Sequence, residues 1–237
     1  MSQVDSSEWS QRSSIDDRVY IITGGAGLLG ETYAIALAQA GAHTVIADID
    51  GDRAMELALE VTESTEARCL GLRVDVSDPE SVSRMVRLVM ENYSRLDGLV
   101  NNAALDPKFD LDQAAQHTNR FEDFPIELWQ QALNVNVTGM FLCAQAVAPI
   151  LRDQDAGVIV NVSSTYGLVG PDQRLYQREG QPPTFKPVTY TVSKAAVLGL
   201  TKYLATYFAE TGIRVNTLTP GGVFAGHDDE FVRRYSA

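Results

Sequence analysis

The sequence predicts a doubly wound α/β fold on a parallel sheet, and three observations carry that expectation. Six short runs rich in Val and Ile punctuate the 237 residues: "VYIITG" from Val19, "HTVIADI" from His43, "ARCLGLRVDV" from Ala67, "LDGLVNNA" from Leu96, "GVIVNVSS" from Gly157 and "IRVNTLTPG" from Ile213. They are nearly continuous in apolar character, as strands covered on both faces must be. Amphipathic stretches alternate with them, and repeated β-α-β of this kind implies a parallel sheet with right-handed crossovers. Lastly, "YIITGGAGLLGETYA", Tyr20 to Ala34, reads as a strand, a glycine-rich turn and a helix.

The elements follow in chain order. The polar, Ser-rich start "MSQVDSSEWSQRSSIDD" lacks a basic head and an apolar core, so 1–17 reads as a mobile extension rather than a secretory signal. A single domain, 18–237, follows it. The first strand runs into Gly25, Gly27 and Gly30, a G-x-G-x-x-G turn that opens a helix ending at Gly41. Glycines there let a pyrophosphate approach the backbone, and the helix N-terminus supplies N–H donors and partial positive charge. Asp48 closes the second strand, 18 residues beyond Gly30, where a carboxylate accepts the ribose hydroxyls of NAD and repels the extra phosphate of NADP. Ile49 follows it, with no arginine beside it. The bland alternative is a structural glycine turn and a solvated aspartate.

Asp75 and Val76 end the third run, placed to meet an adenine; Asp78, with Pro79 after it, reads as the N-cap of the next helix. Asn101 and Asn102 break the fourth run at its C-terminal end, the edge where open α/β sheets bind ligands. Two long polar connections, 105–127 and 168–189, follow strands four and five, so both should rim the same crevice. "ALNVNVTG" places Asn134 and Asn136 in an otherwise apolar helix, where a buried amide either makes a core hydrogen bond or holds a water for proton relay. The fifth strand ends in Ser163 and Ser164, of which strand alternation turns only one into the crevice. In the last long helix, from Val188, Tyr190 and Lys194 are spaced i, i+4 on one face. A phenol ionises near pH ~10, and a neighbouring ammonium lowers that value toward useful acid/base chemistry.

Composition bounds the function. A formal net charge of −12 argues against nucleic-acid binding. Two cysteines, Cys69 and Cys143, make no disulfide framework and fit a reducing, cytoplasmic setting. No apolar run is read as a membrane span.

Together "TGGAGLLG", "NNAA", "NVNVTG", "NVSS", "YTVSK" and "TPGGV" resemble, in order, the motifs of the short-chain dehydrogenase/reductase family, over roughly Val19 to Phe224. The resemblance implies a Rossmann-like single domain, NAD as cofactor and a homodimer or homotetramer. It implies Tyr190 as general acid/base, Lys194 lowering its pKa and touching the nicotinamide ribose, Ser164 holding the substrate oxygen and Asn136 completing a proton relay. Gly24, Gly25, Gly27, Leu28, Leu29, Asp48, Asp75, Val76, Asn102, Ala103, Pro220, Gly221 and Val223 would line the cofactor, with Tyr190 and Lys194.

Three features depart from the one-domain branch of that family. Leu28 stands where this branch usually has glycine, giving a turn like that of the longer sugar-nucleotide branch. Tyr190 lies 26 residues after Ser164, well beyond the usual spacing. The chain also stops where the family continues into a final strand, which is therefore expected to be absent. The inserted segment carries Arg174, Arg178 and Lys186, suited to a hydroxyl-rich or anionic small-molecule substrate. The expected activity is NAD-dependent interconversion of a secondary alcohol and a ketone on a sugar, polyol or sugar-acid-like substrate. The rivals are a sugar-nucleotide epimerase or dehydratase with retained NAD, and a catalytically idle NAD-binding scaffold.

Overall fold

The computed structural model describes residues 14–106, 119–180 and 183–236. Most of the expected extension and the middle of the first long connection lie outside them. Ser14–Asp17 already belong to the body: the Asp17 amide donates to the Gly41 carbonyl at 2.9 Å.

Six parallel strands form one sheet: β1 (Val19–Thr23), β2 (His43–Asp48), β3 (Cys69–Arg73), β4 (Gly98–Asn101), β5 (Gly157–Val162) and β6 (Ile213–Leu218). Their order is β3-β2-β1-β4-β5-β6. Every expected apolar run is a strand. The reversal of order falls between β1 and β4, where Thr23 pairs with Asn101, so the C-terminal ends of these two strands frame the crevice.

The helices are α1 (Leu28–Gln39), α2 (Gly51–Ser64), α3 (Pro79–Tyr93), α4 (Ile126–Leu133), α5 (Met140–Asp153), α6 (Val188–Tyr207) and α7 (Asp229–Tyr235). Strand alternation decides which layer each strand residue meets. Ile21, Leu99 and Ile159 pack with α3, α5 and the end of α6, while Ile22, Ile46 and Val100 pack with α1 and α2. Asp78 caps α3 through the Glu80 amide at 3.0 Å with Pro79 in the first turn, as its sequence demands.

Two expectations change here. "ALNVNVTG" is not plain α-helix: Asn134–Gly139 form a π-helical turn between α4 and α5, a widening found mostly at functional sites. Within Ile126–Asp153, an 18-residue stretch of mean hydropathy 1.3 also has the length and apolarity of a membrane span. Here α5 packs against β4 and α3 and contributes Cys143, Val147 and Leu151 to the core, so its apolarity is accounted for by the fold.

Candidate active site

The glycine turn is built by close backbone approach. Gly24 has φ of +61°, and a Cβ there would lie 2.8 Å from the Ala103 Cα. At Gly30 a Cβ would lie 2.1 Å from the Gly24 carbonyl oxygen. Gly27 differs: its only neighbour would be the Gly24 oxygen at 3.4 Å, so its outer side is open. Asn102 locks the turn from below, donating through Nδ2 to the carbonyls of Thr23 (3.1 Å) and Gly24 (2.9 Å). The amides of Asn102 and Ala103 donate to Thr23 Oγ1. α1 begins at exposed Leu28 with no side-chain cap at Gly27. The first-turn donors of an uncapped helix suit a pyrophosphate.

Asp48 is oriented by two backbone amides, Ala26 to Oδ2 at 3.0 Å and Asp50 to Oδ1 at 3.1 Å. Its carboxylate is thus fixed beside the turn, with exposed Ile49 next to it. Asp75 is exposed and bound locally to the Ser77 amide (2.9 Å) and hydroxyl (2.6 Å). Val76 is buried against Gly139. Together the turn, Asp48 and the Asp75–Val76 edge fit a dinucleotide. Asn101 is otherwise employed, donating through Nδ2 to Asn161 Oδ1 at 2.9 Å and to the Met140 carbonyl at 3.3 Å in the core.

At the other end of the crevice the serines separate as strand alternation requires. Ser163 donates to the Lys194 carbonyl at 2.8 Å and is spent on packing. Ser164 accepts from the Tyr166 amide at 3.2 Å, which leaves its hydroxyl proton to donate. The Ser164 hydroxyl also faces the Tyr190 phenol and opposes the effect of burial on it. The Thr165 amide donates to the Pro220 carbonyl at 3.1 Å, bringing the Pro220–Val223 segment beside this turn.

Lys194 is 5 % exposed, and its Nζ donates to the Val162 carbonyl at 2.9 Å. Burial pushes its ammonium down to about 8. Lys194 is one of several groups that act on the Tyr190 phenol. Tyr190 lies above the ordinary phenol value because burial dominates, and the Lys194 ammonium is 5.9 Å from the ring centroid. The i, i+4 spacing aligns the two side chains, but the ammonium is turned down to the strand carbonyl.

Asn136 makes core hydrogen bonds, as a buried amide must. It is 1 % exposed; Oδ1 accepts from the Leu105 amide at 2.6 Å, and Nδ2 donates to the Leu105 carbonyl and to Ser193 Oγ, both at 3.1 Å. Ser193 in turn donates to the Tyr190 carbonyl at 3.1 Å. The side-chain donors thus brace the loop after β4 against α6. Asn134 is exposed and has no buried amide to satisfy.

The three cations of the insertion part ways. Arg174 is 90 % exposed and paired with Asp172 at 2.6 Å. Arg178 donates to the carbonyls of Leu175 and Gln177 at 3.0 Å and to Asp228 at 2.8 Å, joining the insertion to the start of α7. In this structure both guanidinium groups pair with carboxylates. Arg178→Ala is therefore expected to lower stability by about 1–3 kcal/mol, since charged hydrogen bonds are lost, while leaving KM within about twofold. Denaturant melts beside steady-state kinetics check this. Lys186 alone reaches the tyrosine: its Nζ sits 4.0 Å from the Tyr190 ring centroid. Tyr166 stands edge-on to Tyr190 at 6.4 Å, and its hydroxyl is 3.4 Å from that of Tyr176. The contact of Lys186 with Tyr190 is absent from the helical pattern, although the four-residue separation placed the pair close in sequence.

A family model described as short chain dehydrogenase matches residues 18–235. Short chain dehydrogenase/reductase astE of Aspergillus oryzae is 34% identical over 214 residues, 90% of this chain and 74% of that one. A crystal structure of NAD+-bound xylitol dehydrogenase superposes with a TM-score of 0.76 at 26% identity, covering 94% of this chain and 76% of that one. Sorbitol-6-phosphate 2-dehydrogenase SrlD from Erwinia amylovora gives a TM-score of 0.70 at 29% identity, covering 84% and 70%.

Proposed function

This chain belongs to the short-chain dehydrogenase family and is an oxidoreductase acting on CH–OH groups; on that premise we propose that it interconverts a secondary alcohol and a ketone of a polyol, sugar or sugar-acid-like substrate with NAD. The carrying observation is the meeting of Ser164, Tyr190 and Lys194 across the crevice from an uncapped glycine turn with Asp48 beside it. The polyol reading draws on the xylitol and sorbitol-6-phosphate dehydrogenases as structural neighbours.

NAD, when bound, supplies the hydride acceptor. Gly24, Gly25, Gly27, Leu28 and Leu29 would hold its pyrophosphate side, Asp48 its adenosine ribose, and the Pro220–Val223 segment its other end. Ser164 Oγ donates to the substrate oxygen and fixes the carbinol near Tyr190. Tyr190 Oη then removes the hydroxyl proton in oxidation and returns it in reduction. Lys194 stays ionised at neutral pH against its burial, and its charge favours the phenolate over the phenol.

Asp48 carries the cofactor choice. NAD is expected to bind more tightly than NADP, and Asp48→Ala to narrow that gap about tenfold or more, because it removes both ribose bonds and repulsion of a phosphate. Parallel titrations of the two cofactors decide this; equal affinities in the unmodified protein would overturn it. A homo-oligomer in a reducing cytoplasm completes the proposal. Exposed Phe141, Tyr203 and Tyr207 on α5 and α6 offer aromatic surface for self-association, and both cysteines are free. Sedimentation of the purified chain reads its oligomeric state.

A further inference from the structure

Lys186 and Asp106 lie on two different connections, yet they meet at the acid/base. Both carboxylate oxygens of Asp106 accept from Lys186 Nζ at 2.8 Å. The lysine side chain is 15 % exposed and its ammonium lies over the face of the Tyr190 ring, nearer than Lys194. Each partner is held from behind. The Lys186 amide donates to Gln173 Oε1 at 2.9 Å. Asp106 follows Leu105, whose backbone is gripped in both directions by Asn136, and Asn136 leads through Ser193 to the Tyr190 carbonyl. The pair is therefore part of a closed ring of contacts around the tyrosine.

We propose that Asp106 and Lys186 form a counterweighted charge pair that positions Tyr190 and sets its proton affinity in opposite senses. The proposal rests on the reading of Tyr190 as the acid/base. A cation over an aromatic face is attracted to it, and more strongly to a phenolate. A carboxylate at the same place favours the protonated phenol. Asp106 acts in that direction on Tyr190 and also supports the Lys194 ammonium, which Lys186 opposes. The remaining groups facing the phenol are the Ser164 hydroxyl and the phenols of Tyr166, Tyr176 and Tyr235. Among the described residues, the pair thus brings one charge of each sign to the site beside Lys194.

Opposite shifts are the signature. Asp106→Asn removes the negative charge and unmasks Lys186, so both changes favour the phenolate. Lys186→Met removes the positive charge and unmasks Asp106, so both disfavour it. With polyols and NAD, the acidic limb of kcat/KM is expected to move down by about one pH unit in Asp106→Asn and up by about one in Lys186→Met, a tenfold change per unit. The double variant should return close to the parent.

The same shifts should appear without turnover in the ultraviolet tyrosinate band, taken as the difference from Tyr190→Phe in each background. Shifts of the same sign, or none in either readout, would overturn the pair's role; a structural brace alone lowers kcat without moving the limb. Full turnover by Tyr190→Phe would instead overturn the acid/base reading, while the tyrosinate titration still tests the pair. Asp106→Asn preserves shape, so it keeps the test open if Lys186→Met folds poorly.

Discussion

Tyr190→Phe is expected to lower kcat by about 10²–10⁴-fold, the range for loss of a positioned proton donor or acceptor. NAD affinity should stay within about twofold, because the substitution removes one hydroxyl at the far end of the crevice from the glycine turn. The ring should remain in place: its face meets Lys186 and its edge meets Tyr166, and phenylalanine keeps both contacts. Rapid-mixing kinetics with a binding titration of NAD separate the two effects. Residual activity above about one tenth would move the acid/base elsewhere. Tyr166 and Tyr176 are then the neighbours to examine, although burial raises both phenols above their ordinary value.

The glycine turn should show the second large effect, and two of its residues should behave differently. Gly30→Ala places a methyl group 2.1 Å from one backbone oxygen and 2.6 Å from the Gly25 Cα, and no flexible side chain can yield there. The turn must move, which is expected to cost about 1–3 kcal/mol of stability and weaken NAD binding by about tenfold or more. Gly27→Ala meets only the Gly24 oxygen at 3.4 Å, so stability should hardly change. If a pyrophosphate passes over that open side, NAD affinity should still fall. Thermal melts with and without NAD distinguish the pair. Equal cofactor affinity in Gly27→Ala and the parent would place the pyrophosphate elsewhere.

Much of this was legible in the sequence because the signals are local. The six strands announce themselves through unbroken Val and Ile runs, since a sheet covered on both faces admits little polar alternation. Ser164 and Ser163 separate by strand alternation, and Asp48 stands out by its place at the end of β2. What was hidden depends on contacts remote in the chain. The Asp228 partner of Arg178 is 50 residues away. Lys186 is four residues before Tyr190, yet it precedes α6, so helical geometry gave no rule for where its ammonium goes. The partners of the buried Asn136 amide, Leu105 and Ser193, lie 31 and 57 residues away. The spacing of Tyr190 and Lys194 showed their proximity but not the burial that raises the Tyr190 phenol.

The most direct test of the central claim is reduction of NAD by a panel of polyols, sugar acids and nucleotide sugars, followed at the NADH absorbance band. Parent protein and Tyr190→Phe are compared, with NADP run in parallel. The account predicts that NADH accumulates with one or more polyol-like alcohols in the parent, faster than NADPH, and falls by about 10²-fold or more in the variant. NADPH forming as fast as NADH, undiminished turnover by Tyr190→Phe, or epimerisation of a nucleotide sugar without net NADH would contradict it.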